Sequence, residues 1–261
     1  MARLPSLFVS HGAPNLVLHN TQAKRFLEGF ADRLPRPDAI LVASAHFDTD
    51  QPTVTADTRP ETVYDFRGFE PELYRMTYPA PGAPDLARQA AGLLDAAGFR
   101  SRSASGHGFD HGTWVPLTLM YPQADIPVVQ LSIQSQLGPE HHAKVGEALA
   151  PLAGQGVLII GSGALTHNLH EFFKGGYAAD APTPAWVSEF GEWMRAHIEA
   201  GAEDDLVHYR ERSPSGARNH PTEDHILPLF VAMGAAGWGP GKRVHSSHEY
   251  GVLMMDAYQF G

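Results

Sequence analysis

Ala39-Ile-Leu-Val-Ala-Ser-Ala45 runs straight into His46, an apolar stretch of strand length that ends on an imidazole. The same pattern occurs where Leu4-Pro-Ser-Leu-Phe-Val-Ser10 meets His11-Gly-Ala-Pro14. It returns at Gly156-Val-Leu-Ile-Ile-Gly-Ser-Gly163, which reaches His167 after Ala164-Leu-Thr166. In an open parallel sheet the carboxyl ends of neighbouring strands lie along one edge, so side chains just past them face one crevice. Histidines at three such ends predict an imidazole cluster.

The segments between these strands read as helices. Phe26, Leu27, Phe30 and Leu34 recur at helical spacing, which predicts a helix over Gln22 to Leu34, capped by Asn20 or Thr21 and stopped by Pro35. Pro84 to Gly98 carries proline at its start and glycine at its end, the asymmetry of a helix. Ile126 to Ile133 is a third strand, apolar enough for burial on both faces, and a helix from Gly138 to Ala153 leads into the strand at Val157. Further helices are expected over Ala185 to Ala200 and from His225 or Ile226 to Gly234. This alternation implies a layered α/β domain. Two segments break it. Thr58 to Pro84 is irregular but too aromatic for a disordered region, and so reads as a functional loop. Ser213 to Pro221 is a polar loop that delivers His220 and His225.

Composition narrows the chemistry. The 261 residues, 43% hydrophobic and 18% charged, suffice for one large domain with a full core. A net charge of −10 with no basic run argues against nucleic acid as a partner. There is no cysteine, which excludes disulfides, thiolate metal sites and cysteine nucleophiles and leaves imidazole, carboxylate or water for any metal. No apolar run approaches the ~20 residues that span a bilayer, and the first apolar run is too short for a signal segment, so a cytoplasmic protein with no membrane partner is expected. Oligomeric state is not legible.

The 15 histidines separate by context. His141 and His142 fall in the first turn of a helix and are expected at the surface. His19, His197 and His208 have no special setting. His11 and His46 stand at strand exits, and Gly12 permits a tight turn beside a site. His107 and His111 lie in Gly106-His-Gly-Phe-Asp-His-Gly-Thr-Trp114, which reads as a site loop, although His107 reads equally well as structural. A Ser-His-Asp hydrolase would need Gly-x-Ser-x-Gly, and Gly161-Ser-Gly163 lacks that spacing. A zinc hydrolase and a non-haem Fe(II) oxygenase both suit imidazole-rich ligation; residue types alone leave that choice open.

The motifs themselves resemble a known family. Ser10-His-Gly-Ala-Pro14, Ser44-Ala-His-Phe47, Tyr64-Asp-Phe-Arg-Gly-Phe69, Tyr78-Pro-Ala-Pro-Gly82, Gly108-Phe-Asp-His-Gly-Thr-Trp114, Gly161-Ser-Gly-Ala-Leu-Thr-His-Asn-Leu169 and His220-Pro-Thr-Glu-Asp-His-Ile-Leu-Pro-Leu229 look, in order, like those of the class III extradiol ring-cleavage dioxygenases, in particular the 4,5-DOPA extradiol dioxygenase branch. The resemblance implies one catalytic domain over residues 1–261: a three-layer α/β fold with a central, largely parallel sheet and a metal at one sheet edge. It implies His11, His46 and His225 as metal ligands, with His220 the rival for the third place, and His167 as the acid/base group. It places His111 near the substrate oxygens, oriented by Asp110. The implied partners are a catecholic substrate and O2, and the implied cofactor is Fe(II). Where better-known relatives use a late glutamate this branch has histidine, which weakens discrimination against Zn(II) and makes zinc an expected occupant of purified protein. Phe47 replaces a frequent tryptophan. Tyr64, Asp65 and Phe66 are expected to bind substrate, with the stretch to Tyr78 covering the crevice and Asp65 or Arg67 reading the ring substituent. Two alternatives remain, a zinc-dependent hydrolase and a binding protein of the Memo type, which resembles these enzymes.

Overall fold

The computed structural model describes residues 3–261. β1 (Ser6–Ser10) leads through α1 (Gln22–Phe30) to β2 (Ala39–Asp48) and the short β3 (Thr53–Thr55); after the aromatic segment come α2 (Pro84–Ala96) and β4 (Arg102–Ala104). Next are α3 (His111–Met120), β5 (Val128–Ile133), α4 (Gly138–Leu149) and β6 (Val157–Gly163). Then follow α5 (Leu169–Gly175), α6 (Ala185–Ala200), α7 (Glu203–Val207), α8 (Tyr209–Arg212), α9 (Gly216–Asn219) and α10 (Leu227–Ala235). The chain closes with β7 (Gly241–His245), β8 (His248–Glu249), β9 (Leu253–Met254) and β10 (Ala257–Phe260).

Eight strands form one sheet in the order β4-β3-β5-β2-β6-β1-β10-β7. The central β5, β2, β6 and β1 are parallel, while β3 joins β5 and β10 joins β1 antiparallel. The central strands alternate their apolar residues between two buried faces. Ile40 and Val42 of β2, with Leu158 and Ile160 of β6, pack beside α1 and α3 through Leu27, Phe30, Trp114 and Val115. Leu41, Ala43, Val157 and Ile159 face the other way, toward α2, α4 and α10. This is the expected single α/β domain with a largely parallel sheet between helical layers. Because β6 lies between β1 and β2, all three carboxyl ends meet at one edge.

Several boundaries differ from the sequence reading. Thr21 caps α1 by accepting the Lys24 amide, but the α-helix stops at Phe30 and finishes as a 3-10 turn over Ala31–Arg33. β2 continues to Asp48, so His46 lies inside the strand, where the register with β5 shifts between Ser44 and Asp48. An irregularity of this kind re-aims side chains. α10 begins at Leu227, leaving His225 in the turn before it. His142 is not at the surface: it is fully buried, accepting the Gln134 amide at Nε2 and pairing Nδ1 with the Gly138 carbonyl, contacts that replace water. Among the described residues, no helix is long and apolar enough to cross a membrane.

Candidate metal centre and active site

The sheet edge brings the predicted histidines together. His11 follows β1, and Gly12 after it has φ +66°, the left-handed turn that carries the chain away. The His11 amide donates to the Gly163 carbonyl at 2.9 Å, tying the exits of β1 and β6. The Ala164 amide donates to the His225 carbonyl at 2.8 Å, drawing the turn before α10 onto the same edge. A Cβ at Gly163 would lie 2.0 Å from that carbonyl, so glycine is what admits His225.

Three ring nitrogens converge there. His46 Nε2 stands 3.1 Å from His11 Nε2 and 3.2 Å from His225 Nε2. Ligand nitrogens at about 2.0–2.1 Å from a tetrahedral metal are roughly 3.3 Å apart, which these spacings approach. Each ring is oriented by an acceptor at its other nitrogen. Ser162 Oγ donates to the Gly112 carbonyl, so at 3.1 Å it accepts from His11 Nδ1. His46 Nδ1 lies 3.3 Å from Asp65 Oδ2, and His225 Nδ1 pairs with Asp224 Oδ2. Protons held at Nδ1 leave three Nε2 lone pairs pointing at one another, an arrangement that a cation relieves. Burial and the neighbouring imidazoles push His11 well below its ordinary pKa and His46 down to about 4; burial and His167 lower His225 likewise. The rings are therefore neutral at pH 7, the form a metal requires.

His11 and His46 also form a cluster with His111, and His225 one with His167 and Asp224, each with ligating atoms within 4.8 Å. The tighter contacts single out His11, His46 and His225. His111 Nδ1 is held at 2.8 Å by Asp65 Oδ2, and its amide donates to Asp65 Oδ1 at 3.0 Å. Asp224 is committed to His225, where its hydrogen bond outweighs burial and keeps the carboxylate charged. His220 is no rival by position: it is fully buried, its Nε2 pairs with the Leu165 carbonyl at 2.8 Å, and its ring packs near Phe190 and Tyr209.

Beside the cluster opens a cavity of about 450 Å³, lined by His111, His167, Phe66, Arg67 and Phe172 among others. The His167 ring stacks on His225 with centroids 3.4 Å apart, and burial lowers its pKa. His167 is thus a neutral imidazole stacked beside the three converging rings. Phe66 stands edge-on to His111, centroids 5.8 Å apart. The structure corrects three other expectations. Asp110 does not orient His111. It is buried as the N-cap of α3 and accepts from Ser44 Oγ and Gln130 Nε2, while Asp65 holds the His111 ring. Tyr64 stands behind the cavity wall, donating to the Met76 carbonyl and packing against Trp114 and Phe66. Tyr78 is core, with its hydroxyl on the Tyr121 carbonyl. His107 stacks on Phe47 and lies 3.2 Å from Asp110. The sequence reading missed Ser162 and Asp224 as orienting groups; for Asp224 the signal was its place directly before His225.

Fold and site define a class: an α/β protein with a cluster of converging imidazoles that could hold a metal at the carboxyl edge of its sheet. The crystal structure of an uncharacterized protein from Escherichia coli K12 shares the fold with a TM-score of 0.82 at 35% identity, covering 99% of this chain and 100% of that one. The chain belongs to the family described as the catalytic LigB subunit of aromatic ring-opening dioxygenase, which matches residues 7–261. It is 42% identical over 260 residues to the 4,5-DOPA dioxygenase extradiol of Beta vulgaris, covering 98% of this chain and 96% of the relative. To the protein of the same description from Escherichia coli K12 it is 38% identical over 263 residues, covering 99% and 95%. The protein is therefore a metal-dependent aromatic ring-opening dioxygenase acting on a small molecule and O2.

Proposed function

We propose that this dioxygenase uses Fe(II), held by His11, His46 and His225, to open a catechol ring beside its two hydroxyls, giving a muconic semialdehyde-type product. The observation that carries this reading is the convergence of three neutral Nε2 acceptors next to a cavity that two further histidines face. When bound, Fe(II) supplies the one-electron chemistry that lets a closed-shell catechol react with O2.

The chain's own groups manage position and protons. The apolar walls, Phe66 among them, pack the ring face and exclude water. His167, kept neutral by burial and stacked beside His225, takes the second phenolic proton and returns it as the ring opens, the two-way role open to an imidazole. His111, fixed through Nδ1 by Asp65, turns Nε2 to the cavity and hydrogen-bonds a substrate oxygen. The cleavage consumes one O2 per catechol and places both oxygen atoms in the product. The names of the relatives make DOPA the first catechol to test.

The test is metal removal, anaerobic reloading with Fe(II) or Zn(II), and oxygen uptake with DOPA and simpler catechols. One O2 consumed per catechol with Fe(II), and none with Zn(II), is expected. No uptake by Fe(II)-loaded protein with any catechol would overturn the reading.

A further inference from the structure

We propose that the natural substrate is a catechol whose ring substituent ends in a carboxylate and carries no amine, and that Arg67 receives this anion. The inference deepens the ring-cleavage reading and rests on it. Around the cavity, the loop between Thr58 and Pro84 carries Asp65, Arg67 and Glu70, charged groups of opposite sign, and both of these carboxylates are engaged elsewhere. Asp65 is engaged by His111 and His46, at 2.8 and 3.3 Å. Glu70 is taken by His19 at 3.0 Å and by Asn15 Nδ2 at 3.3 Å. Arg67 lines the cavity and makes no ion pair or side-chain hydrogen bond among the described residues.

Among the described residues, no aspartate or glutamate lines the cavity, and Phe69, Leu169, Phe172 and Phe173 give it apolar wall. An ammonium group entering there would lose water with no carboxylate to meet it. A carboxylate would find a guanidinium suited to bidentate pairing. Arg67 lines the same cavity as Phe66, whose ring stands edge-on to His111. A cavity of about 450 Å³ leaves room for a side chain beyond one ring. The partner chemistry is thus an aryl alkanoate or alkenoate.

Fe(II)-loaded wild type, Arg67→Gln, Arg67→Lys and Arg67→Glu are compared on four catechols of similar size: 3-(3,4-dihydroxyphenyl)propanoate, 4-propylcatechol, DOPA and dopamine. Wild type is expected to favour the propanoate over DOPA, and DOPA over dopamine, in kcat/KM. In Arg67→Gln the propanoate-to-propylcatechol ratio should fall about tenfold, mainly through KM, as befits a lost charge-assisted hydrogen bond. Arg67→Lys should recover part of it, and Arg67→Glu should reverse the order of propanoate and dopamine. A wild-type preference for dopamine, or an unchanged ratio in Arg67→Gln, overturns the proposal. If wild type opens none of the four, the ring-cleavage reading fails separately. Calorimetric binding then decides the role of Arg67: tighter binding of 3-phenylpropanoate than of 3-phenylpropan-1-amine, lost in Arg67→Gln, supports it, and equal binding refutes it.

Discussion

At the scale of residues, one carboxylate has two clients. Asp65 orients His46, one of the three converging imidazoles, and His111, which lines the cavity beside them. Partners of this kind typically contribute about 10–100-fold to metal affinity or activity. Asp65→Ala should therefore lose metal to a competing chelator about 10–100-fold more readily, and ring cleavage at saturating Fe(II) should also slow because the His111 ring is released. His167 behaves differently. His167→Gln should keep its metal by elemental analysis and bind catechol, yet cleave it about 10²–10⁴-fold more slowly in single turnover. Near-normal turnover would refute the acid/base role, and a metal-free variant would make His167 a ligand. His220→Ala should retain metal, because that ring serves the Leu165 carbonyl instead.

At the scale of elements, β6 is where strand and site depend on each other. Gly161 and Gly163 leave room for backbone: Cβ atoms there would meet the Pro228 and His225 carbonyls at 2.0 Å. Gly163→Ala should displace the turn carrying His225, costing about 1–3 kcal/mol in a denaturation curve and lowering metal occupancy. A fully loaded variant of unchanged stability would show that the turn yields freely. The strands of this centre were legible because β1, β2 and β6 are apolar runs ending near histidine. α3 was not, for a physical reason. His111 to Met120 is buried on almost every side, so no polar face produces a helical stripe, and Pro116 sits inside it. Only Asp110, an N-cap three residues before Thr113, marked its start. β7 to β10 escaped notice because they are short, and a local pattern carries no sign of antiparallel partners. Likewise, the imidazoles were visible in the sequence, whereas Asp65 reaches His111 across 46 positions and no local spacing reveals it.

At the scale of the whole molecule, burial of histidines shapes the response to acid, and two of them stand away from the metal position. His142 and His220 are pushed by burial down to about 3, against 6.5 when unfolded. Below pH 6.5 the unfolded chain takes up these protons while the native protein does not until about pH 3. Stability is therefore full above 6.5 and falls as pH drops through that window. The two residues together should contribute about 4 kcal/mol to the stability that the metal-free protein loses between pH 7 and pH 5 in urea unfolding, with the depressed His11, His46 and His225 rings adding to it. A flat profile would mean that these rings acquire protons, or water, in the native state. The separation of the three metal-facing imidazoles has a consequence of another kind. His11 and His46 are 35 positions apart, but His225 comes 179 after His46. On a ribosome adding roughly 5–20 residues each second, the first pair waits about 10–40 seconds for the third. During that interval a nascent chain offers only two of the three nitrogens. A metal is thus kept from settling on unfinished polypeptide, and loading becomes a late act of maturation.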